Sequence, residues 1–193
     1  MNDGRLLDCN SVAEVEENLI RMIGMVDLKA PYNVVTFWTP VNATAASGTL
    51  TIPTNPTAND TMTIGAKVYT FKAAAAVIGD IVIGVSAAAT QLNIRAAING
   101  TDGLNTAHPV ITCGVFAANV GALLAIVKGA AGNIVTTETF TAIDNVFGAA
   151  SLTGGLNGTV GFKGQIMVDA TKIYVCTETN TILDSNWKSA ALT

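Results

Sequence analysis

His108 is the only histidine in the chain, and Cys113 lies five residues beyond it. An imidazole beside a thiol can make a cysteine nucleophile, but only with both groups in hydrogen-bond reach and a third group orienting the base. His108-Pro-Val reads as a loop and Cys113 as part of a core strand, so a loop histidine near a structural thiol is the favoured reading. Cys9 and Cys176 are far from Cys113 and from each other, with no CxxC pair, which argues against a zinc site or a disulfide framework and for free thiols. Asp80, Asp102 and Asp144 stand near turns, where Asp accepts local hydrogen bonds. No paired carboxylates suggest glycosidase chemistry. GxGxxG and GxxxxGK are both missing, and Gly129–Gly132 reads as a plain turn. No catalytic residue, metal site or cofactor is expected, and the chain is read as non-enzymatic. Trp38, Trp187, Tyr32 and Tyr174 could stack on sugars, although aromatics on short terminal strands more often bury themselves or fill an interface.

The composition points the same way. Half of the 193 residues are hydrophobic and only 12% are charged, about half the usual charged share. Ala, Gly and Thr supply much of the bulk. So little charge favours a surface covered by neighbours in an assembly. The net charge is −4 and no basic run occurs, so nucleic acid is not an expected partner. No apolar run is long enough to cross a bilayer uninterrupted, and no membrane partner is expected. The opening MNDGRLLDCN lacks a basic start followed by an apolar block, so no secretion signal is expected and synthesis is placed in the cytosol.

Three segments follow from the pattern. Residues 1–47 comprise an arm, a helix, an aromatic strand and a linker. Ser11 and Glu14 form a capping box. Val12, Val15, Leu19, Met22 and Val26 then recur at three- and four-residue steps, an amphipathic helix of about four turns. This spacing also suits a short seam between helices of neighbouring copies. Tyr32–Pro40, with Phe37 and Trp38, favours an extended strand, and Val41–Ser47 reads as a linker. Residues 48–158 form the main domain. Strands are expected over 49–52, 61–64, 67–71, 80–83, 110–113, 122–127 and 134–140. Gly65-Ala66 reads as a hairpin turn. Ser86 caps a helix that carries Ala87, Gln91, Ile94, Ala97 and Ile98 on one face and stops at Asn99-Gly100. Residues 159–193 form a small unit: a hairpin of 165–168 with 172–176, then a third strand at Trp187. It must bury Ile166, Val168, Tyr174 and Trp187 against something, since three strands alone are marginal. The fold class is α+β: a β-rich, sandwich-like domain with one covering helix, an N-terminal amphipathic helix before it and a C-terminal hairpin unit after it.

The run GTLTI, TIGAKVYTF, AAING, AIVKGAAGNIVTTET and SLTGG resembles a domain that recurs in virion proteins of tailed bacteriophages, over about residues 48–158. That family's usual hairpin, TIGGKTYTF, reads TIGAKVYTF here. The tail KGQIMVDATKIYVCTETNTILDSNWKSAAL resembles a C-terminal module of phage fibre and head fibre proteins, and SVAEVEENLIRMIGMVD resembles the N-terminal segment of some head fibre or decoration proteins. The resemblance implies a structural protein of the virion, made in the bacterial host cytoplasm. Within it the chain is read as a capsid decoration or head fibre protein. It is expected to form a homotrimer on the particle exterior and to bind the major capsid protein or another virion protein. The expected oligomer or anchor residues are Val12, Val15, Leu19, Met22, Val26, Phe37 and Trp38, with a second set at Ile166, Val168, Tyr174 and Trp187. Two alternatives stay open: a tail structural protein, sheath-associated or fibre-linked, and a module binding host-surface glycans through Trp187 or Trp38.

Overall fold

The structure is a computed structural model that describes residues 39–169 and 171–191. The N-terminal helix with Val12, Val15, Leu19, Met22 and Val26, the strand residues Phe37 and Trp38, and Cys9 all lie outside the described residues. The chain divides into two compact units. The larger comprises Asn42–Gly158 and Ile182–Asp184; the smaller, among the described residues, comprises 39–41, Thr159–Thr181 and 185–191. Both are built mostly of strands, and a single α-helix occurs among the described residues.

In the larger unit, alternating Thr and aliphatic residues make strands with one wet and one dry face. β1 (Ala45–Thr51) pairs antiparallel with β6 (Val120–Lys128), which in turn pairs with β5 (Ile111–Ala117). The short β8 (Val146–Phe147) pairs with the end of β1, so the first sheet runs β5-β6-β1-β8. The second sheet runs β4-β3-β2-β7, from β2 (Thr61–Ile64), β3 (Lys67–Lys72), β4 (Asp80–Val82) and β7 (Thr136–Glu138). β2 and β3 form the expected two-residue hairpin, with Gly65 at φ +60°. β3 and β4 are parallel although only residues 73–79 join them, far fewer than a normal crossover needs. The Asp80 carboxylate pins this link, its Oδ2 accepting from Ala76 N–H at 2.9 Å and Val77 N–H at 3.1 Å.

The helix α1 (Ala87–Asn99) begins where Ser86 Oγ accepts from Ala89 N–H and ends at Gly100, whose φ of +68° is the left-handed stop. A side chain at Gly100 would stand 2.3 Å from Ala107 N, so the position requires glycine twice over. Its buried face is Thr90, Gln91, Ile94, Ala97 and Ile98. Ile94, Ala97 and Ile98 join Leu50, Leu123 and Ile111 of the first sheet and Met62, Ile64, Tyr69 and Phe71 of the second in one continuous core.

Several features differ from the sequence reading; of the strand expected over 134–140, only β7 forms. Val41–Ser47 is no linker, because β1 starts at Ala45 and Ala43 and Ala46 are buried. Alanine carries almost no strand signal by itself; its small size lets Gly132 and Gly155 pack against Ala46. Ile182–Asp184 belongs to the larger unit through Asp184 C=O, which accepts from Ala43 N–H, and Ile182 C=O, which accepts from Gly158 N–H. β5 and β6 extend further than expected and meet in a tight hairpin. Its two central residues, Ala118 and Asn119, both have positive φ, the signature of the turn that matches strand twist.

The smaller unit is the expected three-stranded sheet, order β11-β10-β9, from β9 (Ile166–Val168), β10 (Lys172–Cys176) and β11 (Trp187–Ala191). Asp169 closes the β9–β10 turn: its Oδ1 accepts from Thr171 N–H and Lys172 N–H, and its Oδ2 from Tyr174 O–H at 2.7 Å. Tyr174, Cys176 and Trp187 form a small core with Met167 at its side. Trp187 Nε1–H donates to Thr159 C=O at 2.7 Å. Gly161 lies flat on the indole, where a Cβ would approach Trp187 Cζ2 to 2.5 Å and Cys176 Sγ to 2.9 Å. Gly161→Ala is therefore expected to destabilise this unit by about 1–3 kcal/mol through overpacking. A urea titration followed by circular dichroism checks this, and an unchanged midpoint would contradict the packing described.

Candidate functional site

The residues best suited to chemistry are held in structural roles. His108 is buried. Its Nδ1 accepts from Val110 N–H at 3.3 Å, which leaves the proton of the neutral ring on Nε2, facing Ile64 C=O at 3.2 Å. Both nitrogens are occupied, so neither is free to take a proton from a thiol. Burial holds the imidazole below its ordinary pKa of 6.5, the Lys67 charge adding to it and the bond to Ile64 C=O opposing it. Cys113 is buried as well, and burial pushes its thiol up to about 12, away from the thiolate a nucleophile needs. Tyr69 packs beside the imidazole, with ring centroids 6.4 Å apart, and Lys67 Nζ stands 5.0 Å over the tyrosine ring while donating to Thr106 C=O.

An open cleft of about 400 Å³ is lined by Asp80, Asn93 and Asp102 with small apolar residues. Its carboxylates face inward to the backbone. Backbone N–H groups of Ala76 and Val77 hold Asp80 below its usual range. Burial pushes Asp102 upward, but hydrogen bonds from the Asn105 side chain and from the Asn105 and Leu104 N–H groups outweigh it, and its carboxyl also sits low. Asn105 completes the clamp, accepting from Gly79 N–H and donating to Asp80 C=O. Among the described residues no group of three or more His, Cys, Asp or Glu side chains could hold a metal ion.

The expected C-terminal interface residues separate into two sets. Tyr174 and Trp187 point into their own small core, and the Trp187 indole is covered, so it offers no platform for a sugar. Ile166 and Val168 are half-buried and pair across from Val175 and Ile173 on β10, two exposed aliphatic residues that the sequence reading passed over.

The surface that stands out belongs to the first sheet. Along β6, Gly121, Leu123 and Ala125 are buried while Val120, Ala122, Leu124 and Ile126 face solvent. Leu124 is 50% exposed and Ile126 54%. Leu124 lies directly between Thr112 on β5 and Ser47 on β1; Ala122 lies beside Thr49; Val120 lies beside Thr51, which pairs with Val146. This face carries aliphatic residues down its centre and hydroxyls on its flanks, with the exposed Lys128 at the end of β6. The sequence held a signal for it. Val120–Val127 is apolar at both odd and even positions, which is the pattern of a strand covered on both faces.

The neutral His108 yields a pH dependence. The unfolded imidazole takes a proton below its ordinary pKa of 6.5, whereas the buried one resists, so the unfolded state binds more protons and stability falls as pH drops. Wild-type unfolding free energy is expected to decline from about pH 7.5 to about 5.5, and His108→Gln to decline less over the same range. Equal slopes would contradict the buried neutral ring.

Compared with protein-family models, with curated proteins and with solved structures, the chain gives no match.

Proposed function

We propose that this chain is a non-enzymatic structural component of a bacteriophage virion, a capsid decoration or head fibre protein that forms oligomers on the particle exterior. One observation carries the reading: the first sheet turns a mostly aliphatic face to solvent in a chain with little charge elsewhere. A face of that kind is unfavourable in water and favourable against another protein surface. The two four-stranded sheets with their common core are read as a sandwich-like body that α1 covers on one side. The segment around Val12, Val15, Leu19, Met22 and Val26 is read as a helical seam for a homotrimer, with Phe37 and Trp38 beside it. The small C-terminal unit, with Ile166 and Val168 on its open face, is the other candidate for attachment to the shell. The resemblance of the residue pattern to that of tailed-phage virion proteins supports the reading. The same body would serve in a tail, and a glycan-binding role would rest on Trp38 now that the Trp187 indole is covered.

Imaging tests this directly. Purified phage particles carrying a tagged copy of the chain are expected to show label regularly spaced on the head. Label along the tail would move the protein there, and particles that assemble fully without the chain bound anywhere would end the proposal.

A further inference from the structure

We infer that residues 32–38 of this chain pair with the open edge of β9 as a fourth, parallel strand of the smaller unit's sheet, with Phe37 opposite Met167. The inference goes beyond the virion reading and does not rest on it.

Three observations select the edge and its occupant. The first is a set of backbone groups on β9. Gln165 C=O accepts from Cys176 N–H, and Asp169 N–H donates to Lys172 C=O. Alternate residues of an antiparallel strand face the same neighbour, so Gln165, Met167 and Asp169 turn towards β10. The N–H and C=O groups of Ile166 and Val168 turn the other way, where no strand lies among the described residues. An edge of this kind is a template for an extended segment. The larger unit closes its own edges with polar groups. Asn99 holds both backbone groups of Cys113 on β5, Asn105 and Asn93 donate to Asp80 C=O and Val82 C=O on β4, and Thr136 N–H on β7 donates to Ala150 C=O. Among the described residues no side chain does this for Ile166 or Val168.

The second observation is where the chain enters. Thr39, the first described residue, donates its Oγ1–H to Asp169 Oδ2 at 3.0 Å. Asp169 directly follows β9, so residues 32–38 join the unit at one end of the open edge. From that end they can run along β9 only in the parallel sense. Both strands then rise by about 3.3 Å per residue, and counting back two residues from Thr39 and Asp169 sets Phe37 opposite Met167. In that register Phe37 N–H donates to Ile166 C=O, Val168 N–H donates to Phe37 C=O, and Ile166 N–H donates to Val35 C=O.

The third is chemistry. Residues 32–38 read Tyr-Asn-Val-Val-Thr-Phe-Trp, mostly the aromatic and β-branched types that suit a strand. Pro40, which has no N–H to give, ends the run. Residues opposite each other share a face of the sheet. Phe37 then lies beside Met167, at the flank of the Tyr174, Cys176 and Trp187 core. Trp38 lies beside Val168 on the outer face, next to Ile173. The added strand widens both apolar faces of a small sheet.

Amide hydrogen exchange of the full chain, read by NMR, tests this without a substitution. Ile166 and Val168 N–H are expected to exchange at least about a hundredfold more slowly than unstructured amides. Phe37→Pro removes the N–H that Ile166 C=O would accept, and is expected to return Val168 to free exchange while Tyr174 stays protected. A cross-link identifies the occupant, and decides the matter should Phe37→Pro fail to fold. In a Cys9→Ser background, Phe37→Cys with Met167→Cys is expected to close a disulfide within one chain, since facing residues on paired strands lie within disulfide reach. Val34→Cys with Met167→Cys is expected to stay reduced. Free exchange at Val168 in the wild type overturns the inference. So does protection that survives Phe37→Pro, or a disulfide that joins two chains, because a different protein or a second copy then holds the edge. Each of these outcomes leaves the virion reading to particle imaging, since the pairing is made within one chain.

Discussion

β6, the longest strand among the described residues, is apolar on both faces over Val120–Val127, while its own unit buries only one. On the inner side Leu123 and Ala125 sit in the common core with Leu50, Ile111 and Ile98. On the outer side Val120, Leu124 and Ile126 meet water. β6 also pairs with both β5 and β1, so it cannot tilt away to hide that side without breaking two ladders of hydrogen bonds. The inner face demands the strand, and the strand displays the outer face. Each exposed aliphatic side chain withholds about 1–2 kcal/mol of burial free energy that only contact with another surface can recover.

The scarcity of charge gives the few carboxylates a distinct task. Asp60 Oδ2 accepts from Thr57 N–H, while its Oδ1 accepts from Thr141 N–H and its hydroxyl, tying the loop before β2 to the chain after β7. Asp80 and Asp102 clamp the link between β3 and β4 and the loop after α1. Asp169 gathers the β9–β10 turn and Tyr174 O–H, which hold its carboxyl well below the usual range. In each case a carboxylate satisfies backbone donors where irregular chain leaves them unpaired. The hydrogen bonds hold Asp80, Asp102 and Asp169 below the usual carboxylate range, as ionised acceptors that suit a rigid body.

Much of the fold was legible because local signals and tertiary demands coincide. Thr61–Ile64 and Lys67–Phe71 alternate cleanly around Gly65-Ala66, and Ser86 and Gly100 bracket a helix whose buried face repeats at helical steps. Elements with weak local chemistry were not legible. β1 begins in alanines whose value lies only in their small size, and β8 is two residues long and exists because Phe147 fits the core beside Leu50. The candidate surface was half legible. The apolar run in β6 was visible as a strand, but which alternate residues face outward depends on register with β1 and β5, and register is a property of the assembled sheet. Trp187 shows the converse: an aromatic that reads as a binding residue proves to be the lid over Gly161 and Cys176.

The claim that the outer face of β6 exists to be covered by another protein surface is best tested by carbene footprinting of the full chain, free and within purified phage particles. The account predicts that labelling of Leu124 and Ile126 falls in the particle by more than that of Val85 and Leu92, exposed elsewhere on the same unit. Labelling of Leu124 and Ile126 that is the same in both would contradict it.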